Sequence, residues 1–154
     1  MEQNLLGKKV NVFQLNYDTR LRAWYDLRTK VEKLDTQTKC LEIDSWWQQA
    51  PLVNHHLHPT DIQNWPGPWD LLVDNTYCTM ARGLGMYYTL ALVGVKAIDF
   101  VLGKDDNDED VSLVMVDNAK YILNYYPETA LSNTLAEFKI VTHLKLDDVA
   151  KKIK

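Results

Sequence analysis

Residues 69–90, WDLLVDNTYCTMARGLGMYYTL, carry the pattern that decides the fold. They predict a helix that begins between Asp74 and Thr76, runs to about Leu92 and ends at Gly94. Cys78 then lies in the first turn of this helix. Backbone N–H groups and the helix dipole stabilise a thiolate at such a place, so Cys78 is a candidate nucleophile.

Short runs of strand-forming residues follow this helix and are separated by turn sequences. The predicted elements are strands at 96–102, 111–116 and 121–125, a short helix around 128–138, a strand in KIVTHLKL (139–146) and a terminal turn of helix. Because helices come first and strands later, the predicted fold class is α+β, with N-terminal helices and the Cys78 helix packed on an antiparallel sheet.

The residues before the cysteine helix contain a helical stretch and then a proline-rich stretch. A short strand is predicted from Lys9 to Leu15, and a helix from Tyr17 to Leu34 with Asp18 or Thr19 as its cap. From Cys40 to Trp69, prolines predict a stiff loop with at most a short helix.

Aromatic side chains are concentrated in this proline-rich stretch. Tryptophans there either cover the core where regular structure is sparse or form a binding surface, because the large ring packs well and the indole N–H needs a partner. Both alternatives are open. The candidate binding residues are Trp46, Trp47, Trp65, Trp69 and Tyr77.

Length and charge limit the class of protein. A chain of 154 residues with 46% hydrophobic content is expected to form one domain, 1–154, with a proper core. Its net charge of −4, with both signs intermixed, gives no basic stripe, so nucleic acid is not an expected partner. The apolar run at 83–95 is too short to span a bilayer, and the N-terminus lacks a secretion signal. No membrane partner is expected.

Cysteines, histidines and acidic residues form no convincing metal-binding pattern. Cys40 and Cys78 lack CxxC spacing and are interpreted as reduced thiols. The HHLH segment at 55–58 lies in a loop near Asp61, where surface or capping roles are preferred over a metal site. The acidic run at 105–110 lacks the central glycine of an EF-hand loop and is interpreted as a solvated turn. No metal and no cofactor are predicted.

The segment WDLLVDNTYCTMARGLGMYYTL resembles the nucleophile segment of the transglutaminase-like cysteine peptidases, which are part of the papain-like group. In that family a tryptophan-containing loop leads to a cysteine helix with a small residue three positions later, the place that Ala81 fills. The resemblance implies Cys78 as nucleophile, Asn124 as orienting residue and a base near Val111 or Ser112. No histidine stands there, so the catalytic triad is predicted to be broken.

Histidines elsewhere in the chain offer a base only in an order unlike that of the family. His143 lies on the last predicted strand, and His55, His56 and His58 lie in the loop. A serine has no useful basicity near neutral pH, so without one of these histidines Cys78 would be an inert residue of the helix-to-sheet packing.

The segments WWQQAP, WPGPW and YCTMARGLGMYYTL are together similar to small uncharacterised proteins of tailed bacteriophages. That similarity implies a virion component of the tail, neck or baseplate, located in the virion or the cytoplasm, with other protein subunits as partners.

Three hypotheses for function follow. The preferred one is a non-catalytic structural or interaction protein on a degenerate transglutaminase-like core. The alternative is an active thiol peptidase or acyltransferase that uses Cys78, Asn124 and either His143 or a loop histidine, with helix N–H groups as oxyanion hole. The third is a sugar- or peptide-binding module that uses the tryptophans.

Overall fold

The computed structural model describes residues 11–53, 57, 61–105 and 107–125, together with the backbone of 4–5, 8–9 and 139–144. A small hairpin precedes a group of helices, and the strands of a larger sheet follow. In chain order the elements are β1 (Asn4–Leu5), β2 (Lys8–Lys9), a 3-10 helix (Val12–Gln14), α1 (Tyr17–Val31), α2 (Thr36–Trp47), a second 3-10 helix (Ile62–Asn64), α3 (Pro68–Asp74), α4 (Thr79–Leu92), β3 (Ile98–Lys104), β4 (Asp110–Val116), β5 (Tyr121–Leu123) and β6 (Lys139–Leu144).

The larger sheet is antiparallel, with the strand order β5-β4-β3-β6. β3 and β4 form a long hairpin in which Ile98 pairs with Val116 and Lys104 pairs with Asp110. β5 continues the meander by pairing with β4. β6 returns to pair with the other side of β3, so the chain's last described strand is separated from β4 by β3.

The two faces of this sheet have different environments, as the alternation of side chains along a strand requires. One face packs with the helices into the main hydrophobic cluster, and its residues include Phe100, Val114, Val116 and Leu123. The other face carries a smaller cluster made by Val101, Leu113, Met115 and Ile122. The helices therefore cover one face of the sheet. Strand residues that face α4 lie on the face that contains Phe100 and Val114.

α4 is the central helix, since it contacts α2, α3, β3 and β4. Its close approach to α2 depends on Gly85. A Cβ atom at Gly85 would lie 2.6 Å from Cε3 of Trp47, closer than two carbon atoms can pack. Glycine at this position therefore makes room for the Trp47 ring.

A buried threonine joins α1, α2 and α4. The Thr89 hydroxyl accepts hydrogen bonds from the indole N–H of Trp24 at 2.9 Å and from that of Trp47 at 3.0 Å. It donates its own proton to the Gly85 carbonyl at 2.7 Å. A hydroxyl has one donor and two acceptor sites, so this group is fully used.

The N-terminal elements differ from the sequence-based expectation. The strand predicted from Lys9 to Leu15 is wrong, because Asn11 caps a 3-10 helix there by accepting from the Phe13 N–H. The cap of α1 is Asn16, which accepts from the Thr19 N–H, and the predicted caps Asp18 and Thr19 lie inside the helix.

The stretch from Cys40 to Trp69, predicted as loop with a short helix, has its helix at the beginning, where α2 starts already at Thr36 and continues to Trp47. Asp35 caps α2 through the Thr38 N–H, and no proline interrupts the chain before Pro51. A further departure is α3, a helix absent from the prediction, in which the cysteine helix begins between Asp74 and Thr76. Asn75 ends α3 in the left-handed conformation at a φ of 53°, so α3 and α4 are separate helices.

The strand meander matches the sequence more closely. The three predicted strands after α4 correspond to β3, β4 and β5, and KIVTHLKL contains β6. Gly94 follows α4 with a φ of +91°, as its predicted role at the helix end requires. The α+β fold class is confirmed. The helix predicted around 128–138 and the terminal helical turn lie outside the described residues.

Candidate functional site

Cys78 lies at the start of α4 and is its N-cap, one position before the first turn in which it was predicted. Its backbone is extended, with φ −112° and ψ 178°, and its carbonyl accepts from the Arg82 N–H at 3.0 Å. The side chain is only 8% exposed. An N-cap side chain lies beside the unpaired N–H groups of the first turn, whose partial positive charge is favourable for a neighbouring negative group.

The residue before Cys78 holds it in place. Tyr77 is fully buried, and its hydroxyl donates to the Leu71 carbonyl at 3.0 Å. Its backbone forms an isolated parallel bridge with Leu52 and accepts from the Val53 N–H at 2.9 Å. Burial raises the pKa of the Tyr77 phenol above its ordinary value, so this side chain remains a neutral donor. Cys78 is thereby fixed relative to both α3 and the 51–53 segment.

Asn124 links the start of α4 to β4. Its side-chain amide nitrogen donates to the Thr79 carbonyl at 2.9 Å and to the Ser112 carbonyl at 2.8 Å. Since one nitrogen bonds both oxygens, these carbonyl oxygens are less than about 6 Å apart. Asn124 has a φ of 65°, a left-handed conformation that asparagine tolerates better than most residues. Asn124 is the residue directly after the end of β5.

Ser112 is the strand residue brought to this cluster. It is buried and lies two positions before Val114, so it shares the sheet face that packs against α4. The positions implied by the family resemblance, Cys78, Ser112 and Asn124, therefore belong to one neighbourhood. Neither the serine hydroxyl nor the asparagine amide is basic enough to accept a thiol proton near neutral pH.

Asp44 and Arg82 surround the cluster and were not among the candidate residues. Asp44 is buried on α2, and its Oδ1 accepts from the Asn124 backbone N–H at 2.9 Å. Arg82 binds the end of α2 by donating to the carbonyls of Gln48 and Ala50 at distances down to 2.6 Å. Burial lowers the pKa of the Arg82 guanidinium, and the Asp44 charge opposes that shift. A cation is favourable at the C-terminus of a helix, so Arg82 has a structural role there.

The spacing of apolar residues around Asp44 indicates that this residue lies on the buried face of a helix. The buried residues of α2 have the spacing i, i+3, i+4 and i+7 of one helix face; they are Cys40, Ile43, Asp44 and Trp47. A carboxylate on such a buried face requires a hydrogen-bonding partner. The sequence could therefore have marked Asp44 as a polar core residue, although not the identity of its partner.

The histidines are not brought into this cluster by any described contact. His55, His56 and His58 lie outside the described residues, and of His143 only the backbone is described. β6 pairs His143 with Val101, whose side chain belongs to the smaller cluster on the face away from the helices. Ser112, by comparison, pairs with Leu102 on the other side of β3.

The candidate aromatic binding residues divide into buried and accessible ones. Trp47, Trp65 and Tyr77 are buried and offer no ring surface to a partner, because each packs among other aromatic rings of the core. Trp46 is half-buried against Phe13. Trp69 is 40% exposed and has the most accessible ring among the five. For these side chains the core-covering alternative therefore explains more than the binding alternative.

Within the described part of the chain, no cluster of three or more His, Cys, Asp or Glu side chains is arranged to hold a metal ion. The helices of that same part include none with the length and apolarity needed to cross a membrane.

The helix group, the antiparallel sheet and the cysteine at the start of α4 define a transglutaminase-like fold. The structure is similar to solved structures of LapG from Legionella pneumophila. The calcium-bound LapG structure has a TM-score of 0.71 and 15% sequence identity, over 86% of this chain and 78% of that chain. Two others, LapG and EGTA-treated LapG, each have a TM-score of 0.68 and 17% identity, over 86% of this chain and 77% of that chain.

At these identities the similarity shows the fold alone. No family model matches the sequence, and no curated protein does.

Proposed function

We propose that this chain is a non-catalytic interaction protein on a degenerate transglutaminase-like core, and that it works as a subunit of a protein assembly. The assembly that the sequence similarity suggests is a phage virion. The observation that carries the proposal is Ser112, which is buried at the strand position where the resemblance implies the base and whose hydroxyl is not basic enough to take a thiol proton near neutral pH. The Asn124 amide nitrogen joins the start of α4 to β4 beside this serine, through the carbonyls of Thr79 and Ser112.

The chemistry of thiol catalysis supports the same conclusion. A cysteine nucleophile needs a neighbouring base that takes its proton and later returns one to the leaving group. Ser112 occupies the strand position at which the family resemblance implies that base, and its hydroxyl cannot do this work near neutral pH. Cys78 is also buried, so a substrate carbonyl has little access to the sulfur.

A second candidate function is an active thiol peptidase or acyltransferase, and a specific observation favours it. Cys78 is the N-cap of a long helix, with the free N–H groups of the first turn beside it. Such N–H groups can stabilise a thiolate and an oxyanion. Proteases are found among proteins of this fold. In this candidate, His143 or a loop histidine serves as base.

The rate at which iodoacetamide labels Cys78 separates these functions. Native protein is labelled from about pH 5 to pH 9, with a cysteine-containing peptide as reference for a free thiol. The Cys78→Ser variant subtracts labelling at Cys40, which is fully buried. The non-catalytic proposal predicts labelling slower than the peptide at every pH and complete labelling after denaturation.

Labelling faster than the peptide below about pH 7 would overturn the proposal, because it requires an activated and accessible thiolate. His→Gln variants at 55, 56, 58 and 143, made one at a time, would then identify the base. The variant that removes the base would return the rate to that of the peptide, whereas the other three would leave it high.

A further inference from the structure

A groove between α1 and α3 combines exposed aromatic rings with unpaired arginines. It has a volume of about 540 Å³, within the usual range for ligand sites. Its lining residues are Asp18, Leu21, Arg22, Tyr25, Arg28 and Trp69. None of these residues belongs to the cluster around Cys78 and Asn124.

The groove has this composition because of the helical repeat. The α1 residues among them lie at positions 18, 21, 22, 25 and 28, which is the spacing of one helix face, so they form one stripe along the helix. Trp69, near the start of α3, closes the other side and packs edge to face on Trp24, with ring centroids 5.6 Å apart. Val73, one turn later on α3, is also exposed.

Arg28 is held in a fixed position without a counter-charge. Its guanidinium carbon lies 4.2 Å from the centroid of the Trp24 ring and 5.6 Å from that of Tyr25. Its Nε atom is buried and has no hydrogen-bond partner. Burial lowers the pKa of this guanidinium, although an arginine remains protonated near neutral pH. A buried N–H donor without an acceptor costs roughly 1–3 kcal/mol. An acceptor that enters the groove recovers this free energy when the guanidinium turns its Nε–H outward.

The charge of the groove differs in sign from that of the whole chain. Arg22 and Arg28 form no ion pair with any carboxylate of the described residues, and Asp18 at the rim supplies the single negative charge among the lining residues. The groove is therefore positive on a protein whose net charge is −4. Arginine, tryptophan and tyrosine are also the residues most enriched among those that dominate binding energy at protein interfaces.

We propose that this groove binds a segment of a partner protein that presents an acidic side chain next to an aromatic or large aliphatic one. The carboxylate accepts hydrogen bonds from Arg28 and Arg22, and the apolar side chain packs between Tyr25 and Trp69. This inference rests on the proposed function as an interaction protein. Groove binding and Cys78 labelling are separate measurements, so a failure of one proposal can be distinguished from a failure of the other.

The test is a titration of the full chain with acetyl-Glu-Phe-amide up to roughly 10 mM, followed by NMR of the side-chain N–H groups. Acetyl-Gln-Phe-amide is the matched uncharged probe. The expected result is a shift of the Trp69 indole N–H and the Arg28 Nε–H by the Glu probe, with at least about fivefold weaker binding of the Gln probe.

Two variants locate the binding in the groove. Arg28→Gln removes the fixed guanidinium, and Arg22→Gln removes an exposed one that takes no part in packing, so the second variant stays informative if the first folds poorly. Each variant is expected to lower the affinity for the Glu probe toward the affinity for the Gln probe. Lys33→Gln changes an exposed residue in the turn after α1, outside the groove, with the same change of charge; it is the control and leaves binding unchanged.

Several results would overturn the proposal. Equal binding of the two probes, shifts confined to other residues, or unchanged binding in both arginine variants would each exclude this groove as an acidic-segment site. Inorganic phosphate shifting the same signals as strongly as the Glu probe would indicate an anion site without apolar recognition. A dimer in sedimentation that Arg22→Gln dissociates would make a second copy of this chain the occupant instead of another protein.

Discussion

The shared hydroxyl of Thr89 leads to a sharp prediction for stability. In Thr89→Val a methyl group replaces the hydroxyl, and the indole N–H groups of Trp24 and Trp47 both lose their acceptor. Both rings are fully buried, so water cannot replace the lost oxygen without opening the core. Each unsatisfied buried donor costs roughly 1–3 kcal/mol, which gives a loss of about 2–6 kcal/mol in the free energy of unfolding.

The matched control for this change is Thr89→Ser. Serine keeps the hydroxyl and loses one methyl group, which costs about 1 kcal/mol of buried apolar surface. The difference between the two variants therefore isolates the acceptor from the change in packing. A domain of this size typically has about 5–15 kcal/mol of stability, so the valine variant should remain folded but be clearly weakened.

The assay is urea unfolding followed by far-ultraviolet circular dichroism, because tryptophan fluorescence would itself respond to the mutated neighbour. Thermal melting should fall by roughly 5–20 °C for valine, at about 2–4 °C per kcal/mol. A valine variant within 1 kcal/mol of the serine variant would refute the reasoning, since it would show that the two indole N–H groups do not depend on this oxygen.

Three further predictions concern other buried contacts. Asn124→Asp should destabilise the fold by about 3–5 kcal/mol in urea unfolding, because a carboxylate would face two carbonyl oxygens with no proton to donate. Gly85→Ala should cost about 1–3 kcal/mol in the same assay even though alanine favours helices, because the new methyl group meets the Trp47 ring. Stability should fall above about pH 9, by about 1.4 kcal/mol per pH unit for Cys40, because burial raises the pKa of this thiol to about 12 while the unfolded thiol ionises first.

Each of these predictions has its own control. Asn124→Gly keeps the left-handed backbone and removes the amide, so it should cost less than the aspartate, and the reverse order would contradict the assigned hydrogen bonds. Unchanged or higher stability of Gly85→Ala would show that Trp47 moves freely. For Cys40, stability falls with rising pH because, above about pH 9, the thiol is protonated in the folded state and ionised in the unfolded state. Cys40→Ala should therefore flatten the fall in stability with rising pH, and an unaltered slope would count against the buried thiol as its cause.

The sheet could be predicted from the sequence because its signals are local. Short runs of strand-forming residues between turn sequences give β3, β4 and β5 nearly at their observed bounds, and the resulting meander already places position 112 and Asn124 on adjacent strands. The start of the cysteine helix, predicted between Asp74 and Thr76, is observed at Thr79, because α3 ends at Asp74 and a short non-helical segment separates it from α4. Asn75, whose left-handed backbone separates them, carried the missed signal.

The contacts of the candidate site could not be predicted in the same way. The amide of Asn124 meets Thr79 through the packing of a helix on a sheet, 45 positions away in the chain, and no local pattern encodes that meeting. The burial of Trp47 and the exposure of Trp69 depend likewise on which helix faces meet. A tryptophan-rich segment identifies rings that need partners but does not tell which rings are covered.

The bond between Asn124 and Asp44 has a consequence for synthesis on the ribosome. It joins residues 80 positions apart, and the buried carboxylate on α2 receives this donor only after β5 has left the exit tunnel. Helices α1 to α4 therefore emerge well before the sheet. Their apolar faces stay exposed until the sheet has been synthesised. Contacts between distant positions slow folding, and exposed apolar surface in the meantime favours aggregation. A nascent chain stalled before β4 should thus hold its helices in a loosely packed, chaperone-accessible state.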